Sequence, residues 1–289
     1  MVDILLLILS VFLGAGRSVF SKKMSSGTHK EKRFYVNLGI FFFTAAVVTY
    51  ILNLQAFKGA TLTTVFYGLV FGATSFLAQW CYTIALNRGA TSICAMVYSM
   101  GFIIPTISGA LFWNEPFGFT SALGMAIAIS SIVVSAFSGE KGEKLGKGFI
   151  IPNVIAMLCS GFLGVLQKTH QSSADKENLE AFLIIGFVLA AVLAFVYAMA
   201  YSRGKGEDAK RKVKISIYPF CAGLCFGLVS ILNTLLAGRL PSAIIFPTLN
   251  VGVMMACLIF GMIIFKERPN KKQILAFCLG IVTILVLSF

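Results

Sequence analysis

An all-α polytopic membrane fold, with ten transmembrane helices arranged as a 5+5 inverted repeat, is what this sequence predicts. Three observations predict it: apolar stretches of span length recur along the whole chain, polar breaks separate them, and three short motifs recur at one offset near half the length. The 289 residues are 58% hydrophobic and only 12% charged. A soluble domain carries about a quarter charged residues, so lipid must be the solvent for most of this surface.

A span needs about 20 mostly apolar residues. Runs of that kind place spans at 3–21, 34–54, 62–86, 92–113, 119–138, 149–168, 181–201, 215–236, 242–265 and 272–289. The opening MVDILLLILSVFLGAG lacks a basic n-region and a small-residue cleavage site, and is read as the first span rather than a leader. The breaks SKKMSSGTHKEKR, SGEKGEKLGKG, SSADKENLE and SRGKGEDAKRKVK are polar and flexible. NRGAT, NEPFG, GRLPS and KERPN are short enough to be helical hairpins. The seven cysteines all fall inside apolar runs without a C-x-x-C spacing, as small packing residues rather than metal ligands or a disulfide framework.

The internal similarity rests on three matches. Gly68-Leu69-Val70-Phe71-Gly72 with Ser75 corresponds to Gly223-Leu224-Cys225-Phe226-Gly227 with Ser230. Ser10-Val11-Phe12-Leu13-Gly14 corresponds to Ser160-Gly161-Phe162-Leu163-Gly164. The segment ending in Trp113-Asn114-Glu115-Pro116 resembles the one ending in Phe265-Lys266-Glu267-Arg268-Pro269. Each match is weak alone, but the three fall in order at nearly one offset. The expected organisation is a first five-helix repeat at 1–138, a basic linker at 139–148 and a second repeat at 149–289. An odd number of spans per half inverts the second half, the plan by which secondary transporters open a midplane site to either side.

Orientation follows from charge. The net charge of +13 would also suit a nucleic-acid binder, but the basic residues sit in short loops between apolar runs, so no nucleic-acid partner is expected. With ten spans, the loops opposite the termini hold 19 of the 24 Lys and Arg, and the loops on the terminal side hold Lys58, Lys168, Lys176 and Arg239. The excess of Lys and Arg marks the cytoplasmic side. Both termini are therefore expected outside the cell, in a multi-pass protein of the plasma membrane.

The hairpins bearing Glu115 and Glu267, the prolines in the helices before them (Pro105, Pro247) and the glycines in those after (Gly124, Gly280) resemble the EamA-type repeat of the drug/metabolite transporter superfamily. The resemblance covers the chain twice over. It implies a transport role and a central cavity lined by the third, fourth, eighth and ninth helices, with help from the first and sixth. This chain departs from the family in carrying Gly16-Arg17 where many members have an aromatic residue such as Trp. Many members are also thought to keep both termini in the cytoplasm, against the loop count here.

Polar side chains in a membrane turn to the bundle interior or to an aqueous cavity. Ser75, Gln79 and Tyr82 share one face of the third helix at i, i+4, i+7, and Tyr98, Ser99, Phe102 and Thr106 form a similar face on the fourth. Ser230, Asn233 and Thr234 on the eighth helix and Asn250 on the ninth are the counterparts. Arg17, Gln79, Tyr82, Tyr98, Ser99, Asn233 and Asn250 are thus the candidate substrate-binding residues. The competing reading is interhelical hydrogen bonding, worth about 0.6 kcal/mol a pair. Arg17 is either a fixed cation facing a substrate carboxylate or phosphate or a snorkelling side chain, and Lys168, near its repeat partner Gln167, favours snorkelling. Glu115 and Glu267 suit helix starts or gates, and Pro105 and Pro247 suit kinks or hinges.

All eleven carboxylates lie in loops or at helix ends, so the buried acid that a proton-driven exporter of cations needs is lacking. There is no phosphate-binding loop, metal motif or histidine cluster, and no metal or cofactor is expected. The expectation is a transporter and not an enzyme, acting alone or as a homodimer on neutral, zwitterionic or anionic metabolites, amino acids first. Two alternatives remain: an exporter of cationic amphiphiles using Trp80, Tyr82, Tyr98 and Phe102, and a membrane-embedded lipid-modifying enzyme.

Overall fold

The computed structural model describes residues 2–24, 32–86, 94, 97–136, 147–203, 216–264 and 271–287. They form ten α-helices and, among the described residues, no strand. In chain order these are α1 (Val2–Met24), α2 (Lys32–Leu52), α3 (Leu62–Leu86), α4 (Ile103–Phe112), α5 (Phe119–Ala136), α6 (Lys147–Gln171), α7 (Leu179–Arg203), α8 (Tyr218–Arg239), α9 (Ser242–Ile264) and α10 (Lys271–Leu287). Seven are long and apolar enough to cross a bilayer, and Val97–Phe112, Phe119–Val134 and Ile274–Leu287 are apolar but shorter. Only helices can do this here, because no water reaches the hydrocarbon to satisfy an open backbone.

The helices pair in a definite pattern. α2 packs most extensively on α7, α5 on α10, α3 on α6 and α7, and α8 on α1 and α2. α1 also packs on α9, α6 on α4, and α4 on α9. Advancing every label by five, with α10 followed by α1, returns each of these pairs as another member of the set. The smaller contacts break the rule, since α9 also touches α5 and α10.

Glycine makes the central pairs possible. A Cβ at Gly72 would collide with the carbonyl of Gly186 in α7, and one at Gly68 would lie 2.9 Å from the Phe182 carbonyl. In the same way a Cβ at Gly223 would strike the Phe41 carbonyl in α2, and one at Gly227 would lie 3.0 Å from the Ala45 carbonyl. Two stripes with glycines four residues apart therefore press α3 onto α7 and α8 onto α2, backbone against backbone. Around them Phe41, Phe42, Phe71, Phe182, Phe187 and Phe226 form the principal core. Phe41 stacks on Phe226 at 5.0 Å, and Phe71 lies 4.9 Å from Phe182. A second core of Phe102, Ala128, Ile132, Leu236, Ile245 and Leu249 joins α5, α8 and α9 to the turn before α4.

The predicted fourth span is continuous, but the structure breaks it. Residues 97–99 are helical, Met100–Phe102 tighten into a 3₁₀ turn, and α4 follows. Pro105 has no N–H for the Gly101 carbonyl one turn back. Gly101 in turn admits the α6 backbone, since a Cβ there would meet the Met157 carbonyl at 2.6 Å. Pro247, its counterpart, falls in the second turn of α9, which runs unbroken.

The described loops also sort by end. Thr61 donates to Asp175 at 2.8 Å, Asn178 donates to the Gly59 carbonyl at 3.1 Å, and Arg239 pairs with Asp3 at 3.1 Å. The N-terminus, the α2–α3 and α6–α7 links and the α8–α9 turn therefore meet at one end of the bundle, as an alternating path requires.

Replacing Gly72 or Gly223 by Ala is expected to lower stability by about 1–3 kcal/mol through overpacking. Gly118→Ala, with nothing within 4 Å of the added carbon, should change it by less than about 0.5 kcal/mol. Thermal unfolding in detergent checks both, and equal effects at the three positions would refute the packing account.

Candidate functional site

The inner face of α1 is a stripe at helical spacing. Ser10, Gly14, Arg17 and Ser21 follow one another at i, i+4, i+7 and i+11, and Ser10, Gly14 and Ser21 are buried. Gly14 lets Val253 of α9 approach, and Gly16 stands beside Cys225 of α8. Close approach of these neighbours carries the next charged side chain inward. The Arg17 guanidinium lies over the ring of Phe226, 5.0 Å from its centre, and over that of Tyr98 at 5.9 Å. It is half-buried. No described carboxylate pairs with it, since the ion pairs among the described residues are Lys168–Glu115 and Arg239–Asp3.

α3 supplies the facing wall. Ser75, Gln79 and Tyr82 are all buried. The Tyr82 ring lies 4.7 Å from that of Tyr98. One turn away, Gln79 is 4% exposed and its Nε2 has no hydrogen-bond partner, as has the Ser75 hydroxyl. A buried amide left unpaired costs about 1–3 kcal/mol and marks a place where a ligand or water would be held. Asn153 of α6 is 1% exposed with neither amide atom partnered.

A second polar layer lies nearer the terminal end. Ser10 Oγ donates to Asn233 Oδ1 at 2.5 Å. Gln167 Nε2 donates to Thr234 Oγ1 at 3.0 Å, which donates to the Ser230 carbonyl at 2.7 Å. Ser10 to Arg17 along α1 and Asn233 to Phe226 along α8 are each seven residues, about 10 Å of helix rise. The two helices run antiparallel in register, so the cation-and-ring layer and the amide layer lie about that far apart.

The structure thus brings Arg17, Tyr82 and Tyr98 together and sets Asn233 in the other layer. Asn250 Nδ2 donates to the Phe246 carbonyl of its own helix at 2.9 Å. Ser99 precedes the 3₁₀ turn without capping it by its side chain. Of the four aromatic residues weighed for a cation cage, Trp80 and Tyr98 pack against the cluster that holds Tyr82, Trp80 also stacking with Phe76 and lying close to Tyr197 of α7, whereas Phe102 is buried with α9. Glu267 lies outside the described residues.

Two expectations change. Lys168 does not snorkel: its Nζ is buried, pairs with Glu115 and donates to the carbonyls of Ala237 at 2.8 Å and Leu240 at 3.3 Å. The uncapped carbonyls at the end of α8 attract it more than the headgroups do. Glu115 does not serve the helix that follows it. Its Oε2 accepts the Ser242 N–H at 2.7 Å, at the start of α9, because the chain turns back over Gly109 and α5 begins only at Phe119. Near the end of α6, His170 is fully buried and stacked on Phe182 at 4.5 Å. Phe226 under the guanidinium escaped sequence reasoning, although the i, i+4, i+7 stripe of α1 was there to point Arg17 inward. Asn153, alone in an apolar run, was an equally visible signal.

Removing either partner of the Ser10–Asn233 bond should cost about 1 kcal/mol. A double-mutant cycle of Ser10→Ala and Asn233→Ala, read by unfolding in detergent, should return a coupling near 0.6 kcal/mol. Zero coupling would mean the bond is not formed in solution.

Comparison with known proteins gives these features a context. Residues 1–137 match the EamA-like transporter family. No curated protein matches. A solved structure described as "Crystal structure of protein" superposes with a TM-score of 0.73 at 11% identity, over 97% of this chain and 94% of its own. At that identity the likeness is one of fold.

Proposed function

We propose, from a first half that matches the EamA-like transporter family, that this multi-pass membrane protein is a secondary transporter of small metabolites. It works by alternating access between two inverted five-helix halves in the plasma membrane, with both termini outside the cell. The pairing of helices, preserved when every label advances by five, supports the repeat. The gathering of three links and the N-terminus at one end supports the alternating path, and the Lys and Arg of the opposite loops support the orientation.

One observation carries the substrate reading: a guanidinium is held over two rings inside the bundle, with no described carboxylate opposite. Its planar edge is a ready partner for a carboxylate or phosphate, and the unpaired Gln79 amide on α3 offers a neutral donor. The site suits zwitterionic, anionic or neutral polar solutes, and amino acids are the first candidates. Tyr82 and Tyr98 wall it; Asn233 lies in the second polar layer, bonded to Ser10, and the Asn250 amide is engaged with its own helix. Pro105 and Pro247 are the proposed hinges, and Pro105, at a broken helix, is the stronger of the two.

The test is substrate-dependent flux by purified protein in sealed liposomes, across amino acids, nucleosides, sugars and organic acids. Uptake of at least one class is expected; lipid turnover without flux would replace this reading with an enzyme. Arg17→Gln should lower flux of a carboxylate solute about 10- to 100-fold, the worth of a charge-assisted hydrogen bond, and Arg17→Lys should restore part of it. Gln79→Ala should also cut flux, and Asn250→Ala less, because its amide is already engaged. Unchanged flux in Arg17→Gln would remove Arg17 from the site.

A further inference from the structure

We propose that the buried Lys168–Glu115 pair is a latch that holds the terminal end of the bundle shut and must break each time that end opens. Four pieces of chain meet there. Glu115 comes from the α4–α5 link, Lys168 from α6, the Ala237 and Leu240 carbonyls from the end of α8, and the Ser242 N–H from the start of α9. Gly109 provides the notch: a Cβ there would lie 2.5 Å from Glu115 Oε2 and 2.6 Å from Ser242 Cβ.

The arrangement is more than an ion pair. Lys168 brings a positive charge to the negative end of the α8 dipole, and Glu115 brings a negative charge to the positive end of the α9 dipole. The α8–α9 turn is thereby tied by both its ends, to α6 through the cation and to the first half of the chain through the anion. Both side chains are little exposed, at 9% and 13%. Parting them leaves charged groups in a poorly solvated setting unless a wider opening admits water. That makes two discrete states rather than a gradual loosening. By contrast Arg239 and Asp3, at the same end, are 47% and 41% exposed, and an exposed pair holds little.

The two repeats differ at the position of the latch cation. At the offset of 150 residues that relates Gly14 to Gly164, the position equivalent to Lys168 is Ser18. The repeat thus carries no cation there, and the neighbouring Arg17 is turned onto Phe226 and Tyr98. This inference rests on the transport reading for its purpose, but its test needs no substrate.

The full-length protein is placed in sealed vesicles, and a membrane-impermeant maleimide is added on the side that carries Asp3. Alkylation of the native Cys225 and Cys257, which lie near Arg17, is read residue by residue by peptide mass spectrometry. Wild type should label slowly. Lys168→Met and Glu115→Gln should each raise labelling about tenfold, the size of a modest shift between closed and open states. Cys94, fully buried, should stay unlabelled. If it reacts in Lys168→Met, that variant has unfolded and the milder Glu115→Gln decides. Exchange of the charges, Glu115→Lys with Lys168→Glu, should fail to restore slow labelling, because each charge then faces the wrong helix end. Wild-type labelling in both single variants, with only a lower melting temperature, would make the pair a structural tie and overturn the proposal. Restoration by the exchange would overturn the role of the helix ends. A lack of flux for every solute would remove the transporter reading, whatever the labelling shows.

Discussion

Backbone-to-backbone packing through glycine is the contact on which the rest of this structure depends. In lipid, apolar side chains gain nothing by leaving one hydrocarbon for another, so helices associate through close fit. Gly68 and Gly72 against α7, and Gly223 and Gly227 against α2, provide that fit twice. The four helices so joined enclose the ring cluster of Phe41, Phe71, Phe182 and Phe226. They also set the position of α8, and α8 in turn presents Phe226 and Asn233 to α1. The polar interior is a consequence of how these stripes align.

Charge is handled in two different ways inside the bundle. Lys168 is neutralised at once by a carboxylate and two carbonyls. Arg17 is held by ring faces, which attract a cation without cancelling it. The first arrangement ties elements together, and the second leaves a guanidinium able to take an anion. Burial of a charge is costly in either case, so the difference between a satisfied cation and an available one separates a structural role from a binding role more clearly than depth does.

Much of the fold was legible in the sequence. Nine of the ten described helices fall within a few residues of the predicted runs, because a long apolar stretch has one stable form in a bilayer; the fourth run is broken and its helix begins only at Ile103. The buried face Ser75, Gln79, Tyr82 was also legible, since a 3.6-residue period selects one side of a helix. The break at Met100–Phe102 was half-visible in Pro105, but its extent depends on Gly101 admitting Met157, a neighbour 56 positions away in the chain.

By itself, then, the sequence determined that the chain is helical, roughly where most of its apolar helices run and which residues are polar within each. Those properties follow from local composition and period. Only the tertiary structure decided where the charges point: Arg17 onto Phe226 and Tyr98, Lys168 onto the end of α8, Glu115 onto the start of α9. Each of those choices depends on which helix end or ring stands opposite across the bundle, and a neighbour brought close by packing leaves no mark in the local pattern.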